Sequence, residues 1–207
     1  MTKHNSRIFT GSLFCLISRN HPYLFILRAI YMNDPSLLQK ASATLKQVLG
    51  AVPGRFLLVD TSLQKLFVAD SGALVKEYPV STSLFGTGNT EGSFKTPRGV
   101  HRVKEKYGHG APPGRVFRDR IDTGEDWPVG AQGGNVILSR ILRLEGCEDG
   151  VNRGPGIDSY ERYIYIHGTN NEAAIGAPAS HGCVCMKNSD VIELFDDIPE
   201  GTIVLID

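Results

Sequence analysis

Two short stretches of the chain hold the residue types from which thiol chemistry is built. Tyr163-Ile164-Tyr165-Ile166-His167-Gly168-Thr169 reads as an extended apolar segment that delivers a histidine near its end, and ten residues later comes Ser180-His181-Gly182-Cys183-Val184-Cys185-Met186. A free thiol near its reference pKa is only a few per cent thiolate at neutral pH. A nucleophilic cysteine therefore needs a base or an imidazolium, together with donors that stabilise the anion formed on the substrate. His167 and His181 are the histidines close at hand in sequence. Gly182 leaves one side of its peptide open, so the Gly182-Cys183 turn is suited to aiming backbone N–H groups at a developing oxyanion.

These residues need a scaffold, and the chain from Asp34 onward reads as one. Asp34 suits an N-cap and Pro35 the first helical turn. Leu37, Ala41, Leu45 and Val48 then recur at helical spacing until Gly50, which predicts an amphipathic helix within 34–51. After the Pro53-Gly54 turn the period changes to strands, 55–60, 64–69 and 74–81, joined as a meander by short polar connections. A Gly/Thr-rich loop over 86–99 precedes a short strand at 100–103. The stretch 104–134, rich in Gly and Pro, reads as irregular, of the kind that forms lids. Residues 135–144 and 163–166 read as buried strands, 190–195 as a short helix and 202–206 as a last strand. The expected fold is mostly β, with a few short helices, in a domain over 52–207.

Residues 1–33 form an N-terminal extension with apolar runs over 8–17 and 23–31. Neither approaches the roughly 20 apolar residues of a spanning helix, so no integral membrane span is expected. Lys3 and Arg7 imitate the start of an export signal, but no small-x-small cleavage site follows. The competing reading takes Met32 as the start. The 22 basic residues balance 22 acidic ones, which leaves no field to gather phosphates and no polybasic run for an anionic membrane; nucleic acid is not an expected partner. The 23 glycines and 11 prolines favour many turns between short strands over a helical bundle.

Four cysteines are too few for a disulfide scaffold. Cys15 and Cys147 read as packing residues, and His4, His21, His101 and His109 as solvated or satisfied side chains. Cys183 and Cys185 are read as pointing to opposite faces and doing different jobs, Cys185 as a small buried hydrophobe. A rival reading makes His167, His181, Cys183 and Cys185 a soft-metal site, but no second well-spaced cysteine pair supports it; no metal or cofactor is expected.

The chain resembles the L,D-transpeptidases of the YkuD type, and most closely their Gram-negative ErfK/YbiS branch. The resemblance is carried by Ile166-His167-Gly168-Thr169, Ile175-Gly176, Ser180-His181-Gly182-Cys183-Val184, the trailing Asp190-Val191-Ile192-Glu193-Leu194-Phe195-Asp196 with Gly201-Thr202, and the upstream Thr96-Pro97-Arg98-Gly99, over about residues 54–207. It implies a sandwich- or barrel-like β fold and a cysteine that attacks the diaminopimelate carbonyl of a peptidoglycan stem tetrapeptide. Terminal D-alanine is released, and the acyl group passes to an amine on a second stem peptide or a lipoprotein lysine, or to water. By this resemblance Cys183 is the nucleophile, His167 the base and the Gly168 carbonyl its orienter. The amides of His181, Gly182 and Cys183 form the oxyanion hole, with Ser180 and Thr169 in support. The murein substrate implies the periplasm or cell envelope.

One position departs from the family. Cys185 stands where relatives carry Arg or Asn, and a thiol cannot clamp a carboxylate as a guanidinium does. Arg98, Arg140 and Arg153 are the expected replacements.

Overall fold

A computed structural model describes residues 35–128, 130–131 and 133–207; the N-terminal extension over 1–33 and the Asp34 cap lie outside the described residues. Helix α1 (Pro35–Leu49) is followed by strands β1 (Arg55–Asp60), β2 (Lys65–Asp70), β3 (Ala73–Pro79), β4 (Gly99–Tyr107), β5 (Arg115–Arg118), β6 (Ile121–Asp126), β7 (Ile137–Gly146), β8 (Tyr165–Thr169) and β9 (Val184–Met186). Helix α2 (Asn188–Asp197) and strand β10 (Ile203–Ile206) complete the order. Among the described residues no helix is long and apolar enough to cross a membrane.

The strands run β3-β2-β1-β10-β4-β7, and β8 continues from β7 to β9. Two pairs are parallel, β1 with β10 and β8 with β9. The path then curls back on itself. Ser81, just beyond β3, bridges Cys185 of β9, exchanging N–H···O bonds of 2.9 and 2.8 Å. With a second bridge from Ser83 to Ser180 it closes a barrel-like ring, and a core of Leu57, Val59, Leu66, Val68, Leu142, Ile166, Val184 and Val204 fills it together with Val191, Leu194 and Phe195 of α2. The opposite faces of β1 and β2 are covered too, because Phe56, Leu58, Phe67 and Ala69 pack under Ala41 and Leu45 of α1. Burial on both faces explains why these strands read as continuous apolar runs rather than as alternation.

The irregular reading of 104–134 is corrected. Strand β4 continues to Tyr107, and β5 and β6 form a hairpin on β7. Almost all of β6 is exposed, so it carries no apolar pattern. Ion pairs from Arg115 to Asp122 and Asp126, at 2.9 and 2.8 Å, hold it instead.

Buried polar residues fix the long connection from β7 to β8. His101 of β4, fully buried, hydrogen-bonds Gly99 O through Nδ1 at 3.0 Å and Ser159 Oγ through Nε2 at 2.9 Å. Asn152 donates to the carbonyls of Arg98 and Val100 and accepts from the Glu148 amide. Burial drives His101 from its usual 6.5 down to about 4. The unfolded chain therefore binds a proton below pH 6.5 that the folded chain refuses until about 4, and stability falls as pH drops through that window. We expect urea unfolding to lose on the order of 2 to 3 kcal/mol from this group between about pH 7 and about pH 4.5. His101→Gln should show a correspondingly smaller drop; an equal drop in both proteins would contradict the assignment.

Candidate active site

His167 owes its place to backbone pairing on both sides. Strand β8 lies antiparallel to β7, with His167 opposite Ile141, and parallel to β9, with His167 opposite Cys185. Gly168 must be glycine here, because a Cβ at that position would stand 2.5 Å from Asn188 Oδ1 and 2.6 Å from Leu138 O. Asn188, the first residue of α2, donates to Thr169 O at 3.0 Å and accepts from Ser139 Oγ at 2.6 Å. Helix α2 is thus tied directly behind the histidine. At its other end Lys106 Nζ donates to the carbonyls of Phe195 and Ile198, satisfying acceptors that a helix C-terminus leaves open.

The His167 ring is almost completely buried, with Nδ1 at 2.7 Å from Gly168 O. A carbonyl only accepts, so the ring proton is on Nδ1 and Nε2 carries a lone pair. Burial pushes the His167 pKa below its ordinary value, opposed by the Gly168 hydrogen bond. The imidazole is therefore neutral and poised as an acceptor at physiological pH. What it faces is Cys185, whose Sγ is 3.7 Å from Nε2.

Cys183 sits in the turn before β9, half-buried, and its thiol donates to Tyr163 O at 3.7 Å. Burial raises its pKa to about 11, opposed by a backbone hydrogen bond at Tyr165 and by the Arg162 charge. Burial also pushes Cys185 strongly upward, and Cys183 adds to the effect. Alternate residues of an extended segment share a face, so the expectation that these two side chains diverge is corrected. No hydrogen bond among the described contacts joins His167 to Cys183; the ring nitrogen faces Cys185 instead. Ser180 Oγ donates to Cys183 O at 2.6 Å and accepts from the Gly182 amide at 3.3 Å. Gly182 adopts φ +125°, which glycine alone tolerates without strain.

The walls around Cys183 come from distant segments. Phe94 and Tyr163, 57% and 52% exposed, hold left-handed backbone at φ 58° and 55°. The His181 ring packs against Phe85 and Phe94. Arg162 fixes the loop carrying Phe94 by donating to the carbonyls of Gly88, Asn89 and Lys95. On the Cys185 side a cavity of about 260 Å³ is lined by Ser81, Asn135, Thr169, Ser180, His181 and Cys185. Thr169 Oγ1 also accepts from the Asn171 amide at 3.1 Å.

The three expected arginines each have other partners. Arg98 pairs with Asp207 at 3.2 Å and lines a cavity beneath α1. Arg153 pairs with Asp149 at 2.6 Å, and Arg140 donates to the carbonyls of Ala111 and Ser139. Each is bound to a local partner that the sequence pattern does not reveal. The soft-metal reading finds no support either: among the described residues no group of three or more His, Cys, Asp or Glu side chains is arranged to hold a metal. Phe94, Arg120 and Arg162 leave no signal in the sequence, since only the fold brings Phe94 onto His181, Arg120 onto Tyr165 and Arg162 onto the Phe94 loop.

The family model of YkuD, the L,D-transpeptidase catalytic domain, matches residues 54–206, and the chain belongs to this family. A Salmonella typhimurium relative named "Probable L,D-transpeptidase ErfK/SrfK" is 47% identical over 171 residues, covering 75% of this chain and 48% of the relative. "Probable L,D-transpeptidase YbiS" of Escherichia coli K12 is 49% identical over 41 residues, 20% of this chain and 13% of that protein. Both support the ErfK/YbiS branch. The YkuD protein of Bacillus subtilis is 57% identical over 46 residues, 22% of this chain and 28% of that one. The matched parts span less than half the length of these curated relatives. A solved L,D-transpeptidase from Mycobacterium smegmatis aligns with a TM-score of 0.47 at 18% identity, over 74% of this chain and 58% of that one.

A thiol with a pKa of about 11 makes its reactivity steeply pH-dependent. Alkylation of Cys183 by iodoacetamide, read by mass mapping, should accelerate about tenfold per pH unit between roughly pH 7 and 10. A rate that levels off below about pH 8 would mean that the resting site holds a thiolate.

Proposed function

We propose that the chain is a cysteine acyltransferase of the cell envelope acting on peptidoglycan stem tetrapeptides. The observation that carries this reading is the locked imidazole: Nδ1–H is held on Gly168 O, and the Nε2 lone pair faces the strand side shared by Cys183 and Cys185. Cys185 S–H is a weak donor, and the Cys183 thiol displaces it on leaving Tyr163 O. The Cys183 proton then passes to His167 Nε2 as the sulfur attacks the diaminopimelate carbonyl. With the thiol at about 11 and the imidazole held below its usual value, the resting pair is neutral. Proton transfer therefore accompanies C–S bond formation rather than preceding it.

The tetrahedral oxyanion is received by the amides of His181 and Cys183. The Gly182 amide, expected as a third donor, is already shared with Ser180 Oγ and serves mainly to hold the turn. The imidazolium protonates the departing D-alanine amine, leaving a thioester on Cys183. His167 next takes a proton from the acceptor amine, which attacks the thioester and restores the thiol. A stem-peptide amine or a lipoprotein lysine fits this second half-reaction, and the murein substrate places the reaction in the periplasm.

Incubation with a disaccharide-tetrapeptide and mass analysis of the products tests the reading. D-Alanine loss with formation of a cross-linked dimer supports acyl transfer to an amine, whereas tripeptide alone would make the protein an L,D-carboxypeptidase. No change with an unlabelled Cys183 would indicate a non-catalytic wall-binding module. His167→Gln should slow acylation by about a hundredfold or more. His181→Ala should stay within about tenfold, because its ring packs on Phe85 and Phe94 and its role lies in the amide. The reverse ranking would exchange the two histidines.

A further inference from the structure

We infer that Arg120, at the tip of the β5–β6 hairpin, is the specificity-determining residue that binds the side-chain carboxylate of the acyl donor's diaminopimelate, in place of the cation missing at position 185. The inference rests on the acyl-transfer reading for the identity of the peptide, but the placement of Arg120 is independent of it.

Asp119 and Arg120 hold φ of 47° and 70°, so both central residues of this two-residue turn are left-handed. That geometry favours glycine at the second position. Left-handed backbone at a non-glycine residue points to a role for its side chain. That side chain is aimed at the active site. Arg120 Nη1 donates to Tyr165 Oη at 2.9 Å, and the guanidinium carbon lies 5.2 Å from the centre of the Tyr163 ring. Tyr165 forms a cluster with Phe117 and Ile141 against which Cys183 packs, so the residue that anchors the guanidinium belongs to the wall beside the thiol.

Its charge is also uncommitted. Neighbouring Arg115 and Arg143 are neutralised by Asp122, Asp126 and Glu105. Arg120 has no carboxylate partner among the described residues, and the groups that act on it are the tyrosines 165, 107 and 163. A guanidinium anchored by one N–H and stacked on a ring presents its remaining donors as a fork suited to a carboxylate. Reach favours a carboxylate remote from the reaction over the terminal one: the D-alanine carboxylate is only a few bonds from the attacked carbonyl, whereas the diaminopimelate side chain carries its carboxylate several bonds further out, as a cation set beyond Tyr165 requires.

Steady-state kinetics on three donors tests this: the free tetrapeptide, the tetrapeptide amidated on the diaminopimelate side chain, and the tetrapeptide amidated on the terminal D-alanine. Wild type should lose about tenfold to a hundredfold in kcat/KM on the second donor, chiefly through KM. Arg120→Gln should treat the first two alike, and Arg120→Lys should retain part of the preference. Arg120→Gly should keep or raise Tm, since it relieves the turn, and still lose the preference, which separates recognition from folding. An unchanged preference in Arg120→Gln would overturn the inference, as would discrimination confined to the D-alanine amide. Equilibrium binding of the same peptides to Cys183→Ser reads Arg120 without turnover. If acyl transfer itself fails, weaker binding of the free tetrapeptide in the added Arg120→Gln background still supports the clamp, and equal or absent binding overturns it.

Discussion

The constraint on which the site depends is the parallel pairing of β8 with β9, closed onto Ser81. It is short, since β9 has only three residues, yet it sets three things at once. It puts His167 opposite Cys185, delivers Cys183 at the turn entering β9, and joins the two ends of the barrel-like ring. The surrounding devices hold this pairing in register. Gly168 admits Asn188 at a distance no side chain would allow, and Ser180 clasps the turn from within. Buried His101 and Asn152 anchor the connection that leads into β8. A one-residue slip of β9 would turn every side chain to the other face and remove Cys185 from the imidazole.

Stability and reactivity are balanced differently in the two halves of this site. The inner half, with His167 and Cys185, is buried and uncharged. The outer half, with Phe94, Tyr163 and Arg120, is exposed and carries left-handed backbone at non-glycine residues, each at a cost of order 1 kcal/mol. Such strain persists because rigid elements over-determine it: Arg162 ties the Phe94 loop by three hydrogen bonds, and Arg115 ties the hairpin by two ion pairs.

Much of this was legible in the sequence, for physical reasons that differ by element. Strands β1 and β2 announced themselves because both faces are buried, and α1 because Leu37, Ala41 and Leu45 repeat at helical spacing. The His-Gly-Thr and Ser-His-Gly-Cys blocks were legible because close packing and a left-handed turn demand glycine at Gly168 and Gly182. The β5–β6 hairpin was not, because β6 is exposed and held by charge, and its Asp119-Arg120 turn lacks the usual glycine. Nor was the contact between Cys185 and His167, which arises from strand register and leaves no periodic trace. The arginines' partners were hidden for the same reason: Arg98 and Arg153 pair with Asp207 and Asp149, which composition does not reveal, while Arg120 meets Tyr165 only because the hairpin folds onto β7.

The central claim is that Cys183, not the thiol resting on the imidazole, is the nucleophile. The most direct measurement is fragment-ion mass mapping after brief exposure of the wild-type protein to a carbapenem, the β-lactam class that the family resemblance offers as an acylating mimic of the tetrapeptide. Both cysteines lie in one short segment, so the fragmentation must cut between them at Val184. The account predicts one adduct, on Cys183, formed at least as fast in Cys185→Ala, where Nε2 is released. An adduct on Cys185, or its persistence in Cys183→Ala, would contradict it.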